Sequence, residues 1–377
     1  MKPSSIVLLE FDPTLDDLGK GKKLRDGLSV ALQIGNTLWV ANDESASLER
    51  LSLITEDDTG QYIQAREHKQ FALHEFIQLP SPPAEDPAES QEIDIEGLAY
   101  ENGYLWLVGS HSLKRKNPSP KKLGAQAHKQ LEKVVFEANR YLLARIPVVQ
   151  ENGIFTLVRE STDNTGKLRA ANLPMNDTGN DLITALEDDV HLADFLRIPG
   201  KDNGFDIEGL AVSGTRLFLG LRGPVLRGWA LILEVEIGDD KVEPSLLRLK
   251  RMPSDGRCYR KHFLQLGGLG IRDLCVQGSD LLILAGPTMD LDGPVMVYRW
   301  KNGTQPKKEC LLRSDDAALI REMEIPFGQG DDHAEGICLY APDGKDASSL
   351  LVVYDSAATS RHLGRSTMIA DVFKLDA

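Results

Sequence analysis

The chain has 377 residues, 41% of them apolar and 27% charged, which is enough apolar material for one sizeable core. Its net charge of −14 repels nucleic acid and anionic lipid, so no nucleic acid and no membrane surface is expected as a partner. No apolar run approaches the roughly 18 residues that span a bilayer, and Ile6–Leu9 is too short for the core of a secretory signal, so the chain is expected to be cytoplasmic unless a signal was removed ahead of this numbering.

The first predicted element, the strand Ser5–Phe11, belongs to no repeat. Everything after it is organised by one recurring hexapeptide. Its copies are Leu24-Arg25-Asp26-Gly27-Leu28-Ser29, Asp94-Ile95-Glu96-Gly97-Leu98-Ala99, Asp206-Ile207-Glu208-Gly209-Leu210-Ala211, Gly270-Ile271-Arg272-Asp273-Leu274-Cys275 and His333-Ala334-Glu335-Gly336-Ile337-Cys338. The third residues lie 70, 112, 64 and 63 positions apart, so one interval is long. A Gly-containing turn follows each copy, at Gly35-Asn36, Asn102-Gly103, Ser213-Gly214, Gly278-Ser279 and Asp343-Gly344, and then an apolar strand. Two strands joined in this way form a hairpin. Third strands are predicted over Leu48–Ile54, Tyr141–Ile146, Ala230–Ile237, Val295–Trp300 and Ile369–Leu375. Fourth strands are predicted over Phe71–Leu79, Ile154–Arg159, Leu246–Arg251 and Leu319–Ile325, and the last copy has none of its own.

Four strands per unit, repeated around a ring, make a β-propeller. The spare strand Ser5–Phe11 completes the last unit and closes the ring, which removes open edges. The expectation is an all-β chain folded as a single β-propeller over residues 1–377, with five four-stranded blades, or six if the long interval hides another. Two helical insertions, at 111–139 and 161–204, fill that interval instead. The first contains Ala125–Glu137, free of Gly and Pro. In the second, Thr178–Asp181 starts like a capping box, ahead of Leu182, Ile183, Leu186, Val190 and Leu192 at helical spacing. The four-proline stretch Pro80–Glu92 is a loop. None of the four cysteines forms a CxxC pair, so a zinc knuckle and structural disulfides are not expected; Cys275 and Cys338 share a slot with Ala99, Ala211 and Ser29 as small buried residues.

Strand direction places the chemistry. The starts of the first strands, the ends of the second strands and both insertions fall on one face, and the tight turns fall on the other. Long loops gathered on one side mark a functional side. Asp26, Asp94, Glu96, Asp206, Glu208, Arg272, His333 and Glu335 converge there with Asn42, Asp43, Glu44, Ser110, His111, Arg222 and Asp355. Crowded carboxylates need a cation, an Arg, a proton or hydrogen bonds. Glu96, Glu208, Glu335, Asp26 and Asp43 are the candidate metal ligands, hard oxygen donors suited to calcium or magnesium. The competing reading is structural: each Glu staples the neighbouring blade through backbone N–H groups, with Arg272 neutralising one or two. A basic run in the first insertion, Lys114, Arg115, Lys116, Lys121, Lys122, Lys129 and Lys133, reads either as a solvated surface or as an anion clamp.

Taken together, the Asp-Ile-Glu-Gly-Leu-Ala copies, the Gly-Leu-Arg-Gly-Pro run at 220–224, Leu282–Thr288 and the His-Ala-Glu-Gly run at 333–336 resemble a bacterial family, domain-of-unknown-function family 3616, from about Asp26 to Leu375. That resemblance implies a propeller and no assigned activity. More distantly, the Asp-x-Glu-Gly start is similar to phytase-like and gluconolactonase-like propellers, which implies a channel-bound calcium or related metal and hydrolysis of phosphoesters or lactones. Glu96, Glu208 and Glu335 match that position and Arg272 departs from it.

Two functions follow as expectations. In the first, a metal-dependent hydrolase of an anionic phosphoester or lactone, His111 or His333 is the base. Arg222 is catalytic and, with Arg272, Lys114 and Arg115, holds the anion. In the second, a non-catalytic propeller binds a ligand or a protein partner on the insertion face.

Overall fold

In the computed structural model each hexapeptide leads into a strand that turns at a Gly or Asn and returns as an apolar partner. The structure describes residues 2–19, 21–55, 62–84, 91–118, 122–163, 166–252, 256–289, 291–341 and 347–375. Lys121, the turn Asp343-Gly344 and residues 85–90 of the loop Pro80–Glu92 lie outside them. Strand β1 (Ser5–Glu10) precedes the first blade, which comprises β2 (Leu28–Ile34), β3 (Thr37–Asn42), β4 (Ser47–Thr55) and β5 (Tyr62–Ala72). The second comprises β6 (Ile95–Glu101), β7 (Tyr104–Gly109), β8 (Leu143–Glu151) and β9 (Ile154–Leu157). The third comprises β10 (Asp206–Ser213), β11 (Arg216–Leu226), β12 (Trp229–Asp239) and β13 (Tyr259–Gln265). The fourth comprises β14 (Gly270–Gln277), β15 (Asp280–Gly286), β16 (Val295–Trp300) and β17 (Leu319–Ile325). The fifth comprises β18 (His333–Tyr340), β19 (Ser349–Asp355), β20 (Thr367–Lys374) and, outermost, β1.

The innermost strands β2, β6, β10, β14 and β18 neighbour one another in a closed circuit, so among the described residues the ring has five blades and no sixth. Five apolar clusters lie between successive blades, each built from the facing sides of two sheets. Burying each Leu, Ile, Val or Phe there contributes roughly 1.5–3 kcal/mol. Strand β1 pairs antiparallel with β20, as the closure requires, and also runs parallel to β5 of the first blade, from Ile6 opposite Tyr62 to Leu9 opposite Ala65. The first and fifth blades thereby share one continuous sheet.

Every innermost strand slips register against its partner. The slips fall at Leu28/Val30, Ile95/Gly97, Ile207/Gly209, Ile271/Asp273 and Ala334/Gly336. The unpaired residues are Ser29, Glu96, Glu208, Arg272 and Glu335. A bulge adds one residue to a strand and re-aims its side chain. This corrects the alignment of the first copy by three residues. Ser29, not Asp26, occupies the Glu position of the first blade, and its Oγ donates to the carbonyl of Ile95 at 2.6 Å. Leu32 therefore takes the small-residue slot, beside Ala99, Ala211, Cys275 and Cys338, around a cavity of about 190 Å³ at the opposite end of the channel.

The glycine after the bulge sits where inner strands touch. A Cβ on Gly97 would lie 2.5 Å from the Cβ of Leu210, and one on Gly336 would lie 2.7 Å from the Cα of Val30. The stapling expected of the glutamates is done by a different residue. Asp273 accepts from the backbone N–H of Ile337 in the next blade at 2.8 Å and of Leu274 at 2.7 Å.

Two predicted outer strands are misplaced. The fourth strand of the first blade is Tyr62–Ala72, upstream of Phe71–Leu79, and that of the third is Tyr259–Gln265, downstream of Leu246–Arg251. Residues 247–249 instead pair on the far side of β12 as a short extra strand. Each insertion contains one short α-helix, α1 (Ala125–Leu131) and α2 (Asp181–Leu186). The second starts at Asn180, whose side chain accepts from the N–H groups of Leu182 and Ile183.

Candidate functional site at the channel mouth

On the insertion face the channel opens into a cavity of about 380 Å³. Its floor is made by bulge residues. Arg222, on β11, reaches Asp206 and places Nη1 2.5 Å from Glu208 Oε1. Arg272 lies 2.8 Å from Glu208 Oε2 and 3.1 Å from Glu335 Oε1. Both oxygens of Glu208 are therefore taken. Both guanidiniums are firmly held in the charged state: burial opposes it, and the carboxylates outweigh burial. At the side, Arg140 pairs with Asp94 and donates to the carbonyl of Ser112 at 3.1 Å and its Oγ at 2.8 Å.

Three lining carboxylates, Glu96, Asp43 and Asp355, have no ion pair among the described residues, and Asp355 accepts from its neighbour Ser356. Glu96 is 9% exposed, and among the described residues it has no hydrogen-bond or ion-pair partner. Burial first, then Asp94, Glu208 and Glu335, push its carboxyl well above the usual range. Asp43, from the end of β3, is also without a partner and is raised by burial, then by Asp355 and Asp94. Burial pushes Glu335 up to about 8 even though Arg272 opposes the shift. Lys201 lines the same cavity, and Glu335, Asp43 and Asp355 keep it protonated against burial and Arg222.

The structure thus gathers Glu96, Glu208, Glu335, Asp43, Arg222 and Arg272 at one mouth, with Lys114 and Arg115 on its rim. Lys114 pairs with Glu92, and Arg115 lies 2.6 Å from Asp202. Three candidates are set apart. Asp26 lies outside the cavity, 3.2 Å from His362 Nε2, because of the register correction. His333 lies 3.1 Å from Asp292. His111 is 2% exposed and fully engaged: Nδ1 donates to the carbonyl of Gly109 at 2.7 Å and Nε2 accepts from Asn180 Nδ2 at 2.7 Å. Burial lowers its pKa to about 4, so it is a neutral pin between blade two and α2.

Sequence reasoning missed Arg140 and Lys201. Each stands where an insertion rejoins the ring, Arg140 shortly before β8 and Lys201 shortly before β10. That position was the only available signal. All four cysteines are free thiols. Among the described residues, no helix is long and apolar enough to cross a membrane.

Comparison with known proteins gives one family and several distant folds. The family model described as "Protein of unknown function (DUF3616)" matches residues 27–371. Among curated proteins none matches. Similar solved structures include an exo-β-1,3-galactanase from Phanerochaete chrysosporium with β-1,3-galactotriose, at 8% identity and TM-score 0.38, covering 94% of this chain and 61% of that one. A putative 6-phosphogluconolactonase from Bacteroides fragilis follows at 10% identity and TM-score 0.30, with 87% and 64% coverage. The phage phi92 endosialidase stands at 8% and 0.37, with 99% and 70% coverage. The chain spans less than two thirds of the length of the first two. At such identities and scores these neighbours carry no functional argument.

Proposed function

The chain belongs to the DUF3616 family of proteins of unknown function, and from that premise we propose that its channel mouth is a hydrolytic site for a small anionic phosphoester or lactone, working with a calcium or magnesium ion. Glu96 carries this reading. A buried carboxylate aimed into a cavity with no partner among the described residues either holds a proton or meets a cation.

The donor set fits a partly hydrated hard ion. Glu96 and Asp43 have no partner among the described residues, and Asp355 lies in the same wall. Among the described residues, no group of three or more His, Cys, Asp or Glu is close enough to cage an ion by itself. Magnesium commonly binds through one or two carboxylates and keeps several waters, and calcium accepts water among its oxygen ligands. When bound, such an ion supplies Lewis-acid polarisation of a carbonyl or phosphoryl oxygen.

The chain's own groups do the rest. Glu335, near 8, holds a proton at neutral pH and can pass it to a leaving oxygen. Arg222 and Arg272 keep Glu208 neutralised, so the floor stays rigid and does not compete for the ion. Neither candidate histidine lines the cavity, so the acid–base work falls to carboxylates. The same observation favours the second reading, a ligand-binding propeller without turnover.

Calorimetry with magnesium and calcium, together with hydrolysis of p-nitrophenyl phosphate and a sugar lactone, tests the choice. Cation binding and turnover that both fall in Glu96→Gln support the hydrolase. Binding without turnover supports the second reading. No cation binding in the wild type sinks the proposal.

A further inference from the structure

The first insertion has a feature that the channel-mouth reading does not use. Its helix α1 has seven residues and buries none of them. Isolated helices shorter than about 12–15 residues are marginal in water, and in proteins tertiary packing makes up the difference. Among the described residues, no neighbour buries any of the seven. The foot of the insertion is fixed: Phe136 stacks on Tyr141 at 4.9 Å, and Arg115 holds the carbonyl of Leu131 at 2.6 Å. Its head presents Leu123, Leu131 and Val134 at 81%, 44% and 43% exposure. Apolar residues on loops of the same face, Met289, Leu291 and Phe327, are also exposed. Apolar surface gathered on one face marks a surface that something covers.

Charge selects the occupant. From 114 to 136 the chain has seven Lys and Arg against one acid, a net +6, which leaves −20 on the remainder of a chain of net −14. Among the described residues Lys116, Lys122, Lys129 and Lys133 have no ion pair. Around them, on loops at the same end of the ring, stand Glu187, Asp188 and Asp331, and Glu44 and Asp332 add charge that Lys22 and Arg361 partly balance. A flat anionic bilayer would meet those acids together with the lysines. A second copy turned about a two-fold axis would not, because a face that carries one basic arm and one acidic mouth is complementary to itself.

We infer that the chain pairs face to face with a second copy, each basic arm (residues 114–117 and 122–136) lying over the acids around the other copy's channel mouth. Leu131 and Val134 are the apolar anchors, and Lys129 and Lys133 provide the charge. At physiological ionic strength the Debye length is about 8 Å, so repulsion between the two acidic bodies is screened while charge pairs in direct contact persist.

The test is the mass of the full chain by light scattering and sedimentation, at 10–100 µM (on the order of the range where weak dimers form,), in low, physiological and high salt. The expected result is a dimer at physiological salt that dissociates at high salt. Lys129→Glu with Lys133→Glu should give a monomer, and so should Leu131→Asp. The control, Lys307→Glu with Lys308→Glu, changes net charge equally on exposed residues of the opposite face and should stay dimeric. All of these positions are exposed, so folding is preserved, and melting curves verify it. A monomer throughout overturns the proposal. So does a dimer that survives the arm variants, or one lost equally in the control. Binding of the monomer to anionic vesicles, abolished by the arm variants, would replace the second copy with a lipid surface.

Discussion

Arg272 holds Glu208 at 2.8 Å across the seam between the third and fourth blades, and the other side of its guanidinium reaches Glu335 in the fifth. A single side chain at the channel axis thus ties three blades together. Removing it leaves two carboxylates in the floor without that cation. Arg272→Met should cost about 3–5 kcal/mol, measured by urea unfolding. Because Glu335 can take up a proton, the loss should be smaller at pH 5 than at pH 9. An equal loss at both pH values would show that the guanidinium acts through packing.

The acids at the mouth set a pH dependence of definite sign. Glu335 titrates near 8 in the folded chain against an ordinary 4.5. The folded state therefore binds the extra proton between those values, so this stabilisation is full below 4.5 and is lost as pH rises through about 8. His111, lowered to about 4 from an ordinary 6.5, contributes in the opposite sense, present above 6.5 and lost as pH falls through about 4. Between pH 6.5 and 8 only the first effect operates of these two. Unfolding free energy should fall across that window by at most about 1.4 kcal/mol per pH unit for this one group, and the melting temperature should fall with it. Glu335→Gln should flatten it. A flat wild-type profile would contradict the assignment.

Gly97 is a contact point between inner strands. Gly97→Ala brings a methyl 2.5 Å from the Cβ of Leu210 and 2.8 Å from its backbone nitrogen. Overpacking of this kind costs about 1–3 kcal/mol. Thermal unfolding reads it directly, and a neutral substitution would mean that the second and third blades stand further apart at the axis.

His111 is expected to matter for stability and not for the site. His111→Ala removes the acceptor of Asn180 Nδ2 and the donor to Gly109. The cost should be about 1–3 kcal/mol. Hydrogen exchange should show α2 loosening first, with magnesium affinity unchanged. Loss of magnesium binding with α2 intact would return His111 to the channel.

The ring was legible because one hexapeptide recurs with a Gly and a buried strand after it. Inner and middle strands such as Thr37–Asn42 and Tyr104–Gly109 are buried along their whole length, and continuous apolar runs are easy to read. Outer strands were harder. The fourth strand of the first blade contains Gln64, Arg66, Glu67, His68, Lys69 and Gln70, charged and polar on both sides of the alternation. One of these serves a buried pair, His68 with Glu49 of the preceding strand at 2.6 Å, which hydropathy cannot see. The apolar pattern at Phe71, Leu73, Ile77 and Leu79 belongs mainly to a turn packed into the core between the first two blades. The offset of the first copy arose from Gly27, which mimics the glycine after the bulge while the true slip falls at Ser29. Which arginine saturates which glutamate depends on neighbours up to 64 residues away, and no local pattern encodes it.

Strand β1 is synthesised before the other strands of the ring, and β20, its antiparallel partner, after them. At typical elongation rates the interval between them is on the order of tens of seconds. During that time β1 must not pair with a neighbouring nascent chain. Its parallel register with β5, complete once residue 72 has emerged, offers a place to wait. The seam of this ring thus gives one strand two partners that become available at different times, the first blade early and the fifth late.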